Sequence, residues 1–424
     1  LDLGVERLQT SLQDQPEVRA SILSAIATVL QDLDRLDKAL PLSQEALVLN
    51  QEIYGETSRQ ARDSMGWLAR LHGVRGEYER AGDLHRRRLE MAQAATPVDP
   101  VEVADAHIRI GRNFLSTSQS QEAESHFLAA VDLAEANDLD RELVDALRSV
   151  ADSQRLNGKL EEAELNARRT VELTDNVRGK DTAAAAFARG TLASTLASLE
   201  RFDEAEIYFQ EAIDLLSRTL GPEHGNTLST MSNLARMQLR RDPANAAELA
   251  GRAVEIGERT LGESHPAVGR YLQNYSKALE LLGRTDEAIV TFERTAQIFR
   301  ETLPVNDFQR ATPLLSLSGI HLAQSRPEAA EKTAREALEI LEVALPEGHV
   351  ITAVANCRLG RSLMAQDRSE EAATHFDRAT GPLLESTSYP QYRRECLAAA
   401  SDFYREKGVT QQVATLEAAL RDPP

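Results

Sequence analysis

Apolar residues recur along this chain with the 3.6-residue period of amphipathic helices, and a longer period is laid over it. A small residue is followed twelve positions later by alanine at Ala27 and Ala39, Ala69 and Ala81, Gly111 and Ala123, Ala151 and Ala163, and Ala193 and Ala205. The series goes on with Ala235 and Ala247, Ser276 and Ala288, Ser318 and Ala330, Gly360 and Ala372, and a weaker Ser401 and Val413, in steps of 40 to 42 residues. Two helices approach closely only where both surfaces are small. Each pair therefore predicts the crossing point of a hairpin, with helix A carrying the first member and helix B the second.

Other columns keep the same phase. The residue before the helix A reference is large at Ile26, Leu68, Ile110, Val150, Leu192, Leu234, Tyr275, Leu317 and Leu359. Seven residues after it stand Asp34, Gly76, Ser118, Gly158, Glu200, Asp242, Gly283, Ser325, Asp367 and Gly408, mostly turn or cap types. Helix B has a third small column at Ala46, Ala130, Thr170, Ala212, Ala253, Thr295, Ala337 and Ala379. Arg88 breaks that column and is expected at a looser contact or with its stem reaching solvent. Between hairpins, Leu220-Gly221-Pro222-Glu223-His224, Leu261-Gly262-Glu263-Ser264-His265-Pro266 and Leu345-Pro346-Glu347-Gly348-His349 end one helix and open the next. Pro16, Pro100 and Pro390 recur near this phase, Pro41 and Pro327 fall in opening turns of helices B, and Pro382 is expected to break the ninth helix B.

The predicted fold is all-α, a right-handed solenoid of about ten antiparallel helix hairpins. Residues 1–15 are expected to form a lead-in helix, 16–390 repeats one to nine, and 391–424 a divergent last repeat or capping helices. With 4% aromatic residues, the interior must be built from many small helix contacts. Cys357 and Cys396 are too few for a disulfide framework and read as reduced, partly buried side chains.

No window approaches 18 consecutive apolar residues, so direct membrane insertion is not expected. No signal peptide is evident, and a chain opening on Leu1 is expected to be a piece of a longer one. A formal charge of -19 opposes non-specific attraction to nucleic acid, which is not an expected partner. Arginine greatly outnumbers lysine, which favours planar bidentate contacts.

The repeat resembles tetratricopeptide repeats, specifically the 42-residue kind of kinesin light chains, on Leu234-Ala235, Ala247, Ala253 and Leu261-Gly262-Glu263-Ser264-His265-Pro266. Leu3-Gly4-Val5-Glu6-Arg7-Leu8 and Asp14-Gln15-Pro16-Glu17-Val18-Arg19-Ala20 resemble the start of the C-terminal repeat array of large bacterial serine/threonine protein kinases. That resemblance implies an attached kinase domain outside this chain. It also allows an extracytoplasmic array after a membrane helix, against the cytoplasmic location that two cysteines fit.

Motifs for chemistry are missing: there is no G-x-G-x-x-G, P-loop, kinase catalytic loop or H-E-x-x-H. We therefore expect no enzyme activity, no cofactor and no metal site. His224, His265 and His349 share one inter-repeat phase and read as repeated loop or cap residues. His72 and His321 stand in a helix A column otherwise filled by Leu30, Phe114, Leu196, Leu279, Leu363 and Tyr404, and read as packed. Arg86-Arg87-Arg88 reads as a solvated basic run on a helix B.

On helix A, positions -6, -2, +1 and +5 from the reference point together. The resemblance implies that this stripe lines a ligand groove. It holds Ser229, Asn233, Arg236 and Arg240 in repeat six, then Arg270, Asn274, Lys277 and Leu281 in repeat seven, with no acid. Arg70, Arg109 and Arg112 join it upstream, mixed with Asp63, Asp105, Asp145 and Asp152; Arg358 and Arg361 join it downstream, before Glu395, Asp402 and Glu406 reverse the charge. The resemblance further implies that Asn233 and Asn274 hold a peptide backbone and that Arg236 and Lys277 face the ligand. The expected function is a non-catalytic scaffold or sensor module whose partner is a protein or an acidic, carboxylate-bearing peptide. An oligomerisation or spacer array is the alternative, and a homo-oligomer is compatible with both.

Overall fold

A computed structural model of the chain describes residues 14–32, 35–117, 119–386 and 390–421. Most of the expected lead-in helix, the kinase-like residues 3–8 and the turn residues Asp34 and Ser118 lie outside the described residues. The described residues form helices and no strand, arranged as hairpins in two compact units, Leu1–Pro222 and Glu223–Pro424.

Unit 1 holds repeats 1 to 5, each written here as helix A then helix B: Pro16–Asp32 and Leu36–Tyr54, Arg59–Val74 and Tyr78–Ala94, Pro100–Ser116 and Ser120–Ala136, Asp140–Leu156 and Leu160–Val177, Ala183–Ser198 and Phe202–Thr219. Unit 2 holds repeats 6 to 10: Gly225–Gln238 and Pro243–Leu261, Pro266–Leu281 and Thr285–Thr302, Thr312–Ala323 and Pro327–Ala344, Val350–Met364 and Ser369–Glu385, Pro390–Glu406 and Thr410–Arg421. A 3-10 turn, Phe308–Ala311, precedes helix A of repeat 8.

The small columns are the crossings. Ala69, Ala81, Ala151, Ala163, Ala193, Ala205, Ser276 and Ala288 are buried almost completely. At repeat 8 the Ser318 hydroxyl donates across the crossing to the Ala330 carbonyl at 3.2 Å. Four residues beyond the helix B alanine, Phe127, Phe209, Phe292 and Phe376 fill the space beside the crossing and are fully buried. In repeats 3 and 9 the helix A glycine makes room for that ring. A Cβ on Gly111 would lie 2.5 Å from Phe127 Cε1, and one on Gly360 would lie 3.1 Å from Phe376 Cε2. His85 takes the phenylalanine position in repeat 2 and is buried for the same reason.

The turn column adopts the left-handed conformation at Gly76, Gly158, Gly283 and Gly408, where no side chain opposes it, but also at Glu200, Ser325 and Asp367. Asp242 departs from the column: with φ of -142° it caps helix B of repeat 6, accepting from Asn245 N at 3.0 Å. The periodic histidines cap as well. The Nδ1 atoms of His224, His265 and His349 accept from the backbone N–H two residues on, at 3.2, 3.1 and 3.2 Å. Those bonds satisfy orphan donors at three helix A starts in unit 2.

Five expectations fail. Arg88 does not reach solvent; it is buried, with Nη1 2.7 Å from Asp105 Oδ2, and Gly66 leaves space for its guanidinium. Only Arg86 and Arg87 of the basic run are exposed. Pro382 does not break helix B of repeat 9, which continues to Glu385, and Pro41 lies inside Leu36–Tyr54 instead of in its opening turn. Cys357 and Cys396 are neither reduced nor partly exposed: they are buried and joined in a disulfide between helices A of repeats 9 and 10, with Cα atoms 5.7 Å apart. No described helix is long and apolar enough to cross a membrane.

Candidate functional site

In unit 2 the stripe is only partly available to a ligand. Asn233 and Arg236 are exposed on helix A of repeat 6, Arg240 is exposed in the turn just past its end, and Arg270 is exposed in the opening turns of helix A of repeat 7. Ser229 is engaged: its Oγ lies 3.1 Å from the Tyr271 hydroxyl, which donates to Gly225 O at 3.2 Å. Burial pushes the Tyr271 hydroxyl above the usual tyrosine range.

Asn274 is structural. Its Nδ2 donates to Ser232 O at 3.0 Å and to Ser232 Oγ at 2.8 Å, tying the two helices A together. Lys277 Nζ sits 2.9 and 2.8 Å from the carboxylate oxygens of Glu280 on its own helix. The four columns carry no acid, as their residues dictate, but Glu280 stands just beside them and neutralises Lys277. Leu281 adds an exposed apolar surface.

Farther along unit 2, Arg358 is buried and its two terminal nitrogens donate to Glu395 at 2.7 and 2.8 Å; Arg361 pairs with the same carboxylate. The space for Arg358 is left by Gly319, whose added Cβ would meet Nη1 at 2.9 Å. Burial holds the Arg358 guanidinium below its ordinary pKa, partly offset by Glu395. This charge cluster joins helix A of repeat 9 to helix A of repeat 10.

In unit 1, Arg70 is exposed and lies over the Trp67 ring, 5.2 Å from its centroid. With the Gln31 amide oriented to accept, Arg70 Nε and Nη2 lie 3.1 and 2.8 Å from its oxygen. Arg109 Nε donates to Asp105 at 3.1 Å. Arg112 is half-buried, and desolvation, together with Arg148 and Arg109, brings its guanidinium down to about 10. Of the acids expected here, Asp145 pairs with Arg178 at 2.8 Å, Asp152 faces Arg155 at 4.0 Å and Asp63 faces Arg59 at 4.0 Å. Among the described residues, no three histidine, cysteine, aspartate or glutamate side chains come together to hold a metal.

A clasp between successive helices B escaped the column reading. The residue after the helix B alanine is Glu124, Glu164 or Glu331, and the base closing the next hairpin's turn reaches back to it. Lys159 Nζ lies 2.9 Å from Glu124, Arg201 Nη1 lies 2.7 Å from Glu164 and Arg368 Nη1 lies 2.8 Å from Glu331. Arg201 and Arg368 also grip Glu204 and Glu371, each at 2.7 Å. Counting charge at position +1 of helix B against -4 of the next would have exposed this ladder.

No curated protein matches the sequence. Solved structures match it at low identity. The apo form of the quorum sensor NprR from B. thuringiensis is 14% identical, covering 80% of this chain and 94% of that one, with a TM-score of 0.55. The apo form of RapI is 10% identical over 66% and 97% of the two chains, with a TM-score of 0.52. Nearly identical TPR-like repeats of a Podosopora anserina putative kinesin light chain are 21% identical, covering 46% of this chain and 93% of that one, with a TM-score of 0.40. The tetratricopeptide repeat family matches residues 18–94, 181–258 and 238–301. Those stretches match the model of that family, and the small crossings and left-handed turns of the chain are those of tetratricopeptide-like hairpins.

Proposed function

We propose that the chain is a non-catalytic protein-binding scaffold or sensor module, and that helices A of repeats 6 and 7 take an acidic or carboxylate-bearing peptide segment. The observation that carries this reading is the exposure of Asn233 and Arg236 on one helix A, of Arg240 just past its end and of Arg270 on the next helix A, in columns without an acid, in a chain of charge -19. Asn233 is the residue suited to a peptide backbone, since an exposed amide both donates and accepts. Arg236 and Arg270 would meet carboxylates, with Arg240 at the end of the stripe and Leu281 offering an apolar contact. Asn274 and Lys277 play supporting parts, fixing the helices instead of meeting the ligand directly. Arg70 stands in the equivalent helix A column of repeat 2, within unit 1. NprR is described as a quorum sensor, which accords with a sensing role; the kinase-like residues 3–20 support a place beside a signalling enzyme.

The test is fluorescence anisotropy with a labelled octapeptide of alternating Glu and Ala. Replacing Arg236 and Arg270 by Ala should weaken binding by about tenfold or more, and the loss should shrink as salt rises from about 50 to about 200 mM. Unchanged affinity and salt slope in a folded double variant would remove the assignment. The internal use of Lys277, Arg358 and Arg361 favours a second reading, a spacer or self-associating array. Light scattering across a concentration series separates the two.

A further inference from the structure

On the helix A face of unit 1 the acids are already taken and two arginines are not. Asp105 accepts from Arg88 at 2.7 Å and from Arg109 at 3.1 Å. Asp145 accepts from Arg178 at 2.8 Å, and Asp152 faces Arg155 at 4.0 Å. Arg112 on repeat 3 and Arg148 on repeat 4 lie half-buried on helices A that touch each other. Neither guanidinium donates a hydrogen bond or forms an ion pair among the described residues. A half-withdrawn guanidinium whose nearest carboxylates, Asp105 and Asp145 for Arg112, are committed to other arginines is incompletely balanced. The complement that relieves it is an anion.

The size of the local charge selects the anion. Arg88, Arg109, Arg112, Arg148, Arg155 and Arg178 surround four aspartates, Asp63, Asp105, Asp145 and Asp152, an excess of two positive charges that one carboxylate cannot balance. Burial pushes the Asp152 carboxyl up, which weakens the acidic side further. His85 adds no negative charge, and burial beside Arg88 and Arg109 keeps it neutral at pH 7. Two guanidinium groups from adjacent helices offer forked donors to a tetrahedral oxyanion. Flanking helices A present exposed aromatic surface, Trp67 in repeat 2 and Phe187 in repeat 5. A chain attached to the anion would rest there.

We propose that Arg112 and Arg148 form a binding site for a phosphoryl dianion, supplied by a phosphorylated side chain of a partner polypeptide or by free phosphate. The site is separate from the repeat 6 and 7 stripe, and its variants do not touch that stripe. Calorimetric titration of the full chain with three probes tests it: inorganic phosphate, a heptapeptide of one phosphoserine flanked on each side by three alanines, and the same peptide unphosphorylated. The expected result is saturable binding of a phosphoryl probe with Kd below about 1 mM, lost by about tenfold or more in Arg112→Gln and in Arg148→Gln, and unchanged in Arg252→Gln, an exposed position on helix B of repeat 6. Arg112→Lys, which keeps the charge but not the fork, should fall between. Tighter binding of the phosphopeptide assigns the source to a polypeptide, and equal binding of phosphate assigns it to the free ion; either supports the site. No saturable binding of any phosphoryl probe overturns the proposal. So does equal weakening by Arg252→Gln, or equal affinity for a heptapeptide with Glu in place of phosphoserine.

Discussion

Replacing Gly111 by Ala probes the crossing directly, and its sign follows from geometry. In a helix interior alanine is favoured over glycine by about 0.8–1.0 kcal/mol. Against that, the new methyl would sit 2.5 Å from Phe127 Cε1 and 2.8 Å from Cδ1 and Cζ, with the ring fully buried and unable to swing into solvent. Overpacking of this kind costs about 1–3 kcal/mol, so Gly111→Ala should destabilise by up to about 2 kcal/mol. Gly190 is the control: it also lies inside a helix A, but no heavy atom stands within 4 Å of an added Cβ. Gly190→Ala should therefore stabilise by about 0.5–1 kcal/mol. Gly360→Ala, whose methyl would meet Phe376 at 3.1 Å, should fall between them. Urea unfolding followed by far-UV circular dichroism gives the order from the midpoints at constant m. A Gly111→Ala chain as stable as the Gly190→Ala chain would refute the packing argument. Coupling to Phe127→Leu should then recover part of the loss in a double-mutant cycle.

Other expectations follow from buried charge and from the disulfide. Arg62 donates to both oxygens of Glu102 at 2.7 and 2.8 Å, and both are buried; Arg62→Met should cost about 3–5 kcal/mol in urea unfolding because it strands the carboxylate. His85 is held down to about 4 by burial first, then by Arg88 and Arg109. The unfolded chain therefore binds its proton first as pH falls, and stability should drop between pH about 6.5 and about 4, by about 3 kcal/mol from this group. His85→Gln should flatten that part of the pH profile, and an unchanged slope would count against the burial argument. Cys357 and Cys396 close a loop with a sequence separation of 39, so the Cys357→Ser, Cys396→Ser double variant should lose about 4 kcal/mol on the loop-entropy account. Thiol counting under denaturation, with and without reductant, reads the bond itself.

The sequence carried the backbone plan because that plan depends on single residues at fixed offsets. Ala151 and Ala163 mark a crossing wherever the chain places it, and Gly158 turns between them without needing to know its neighbours. The histidine caps were legible for the same reason: His224, His265 and His349 act on an N–H two residues away. Charges were harder, since their partners lie one repeat distant. Arg358 looked like groove lining, yet Glu395, 37 positions on, accepts both its nitrogens. Lys277 looked ligand-facing, yet Glu280, one position outside the chosen columns, claims its ammonium group. Arg88 looked misplaced in a small column until Gly66 and Asp105 were seen to make its pocket. The disulfide was hidden because two cysteines suggest no framework, and only packing of helices A from successive repeats brings their sulfurs together.

The clasp between helices B has a consequence for how such a chain tolerates whole-repeat editing. Lys159 and Arg201 are interchangeable in role, as are Glu124 and Glu164. Excising one hairpin length between equivalent positions around repeat 4 would bring Arg201 to face Glu124, a pair of the same chemistry. The junction would then close on a ready-made ionic contact in the correct register, with an alanine crossing on either side. Repeat number is thus a quantity that can change by duplication or loss without new interface residues being invented.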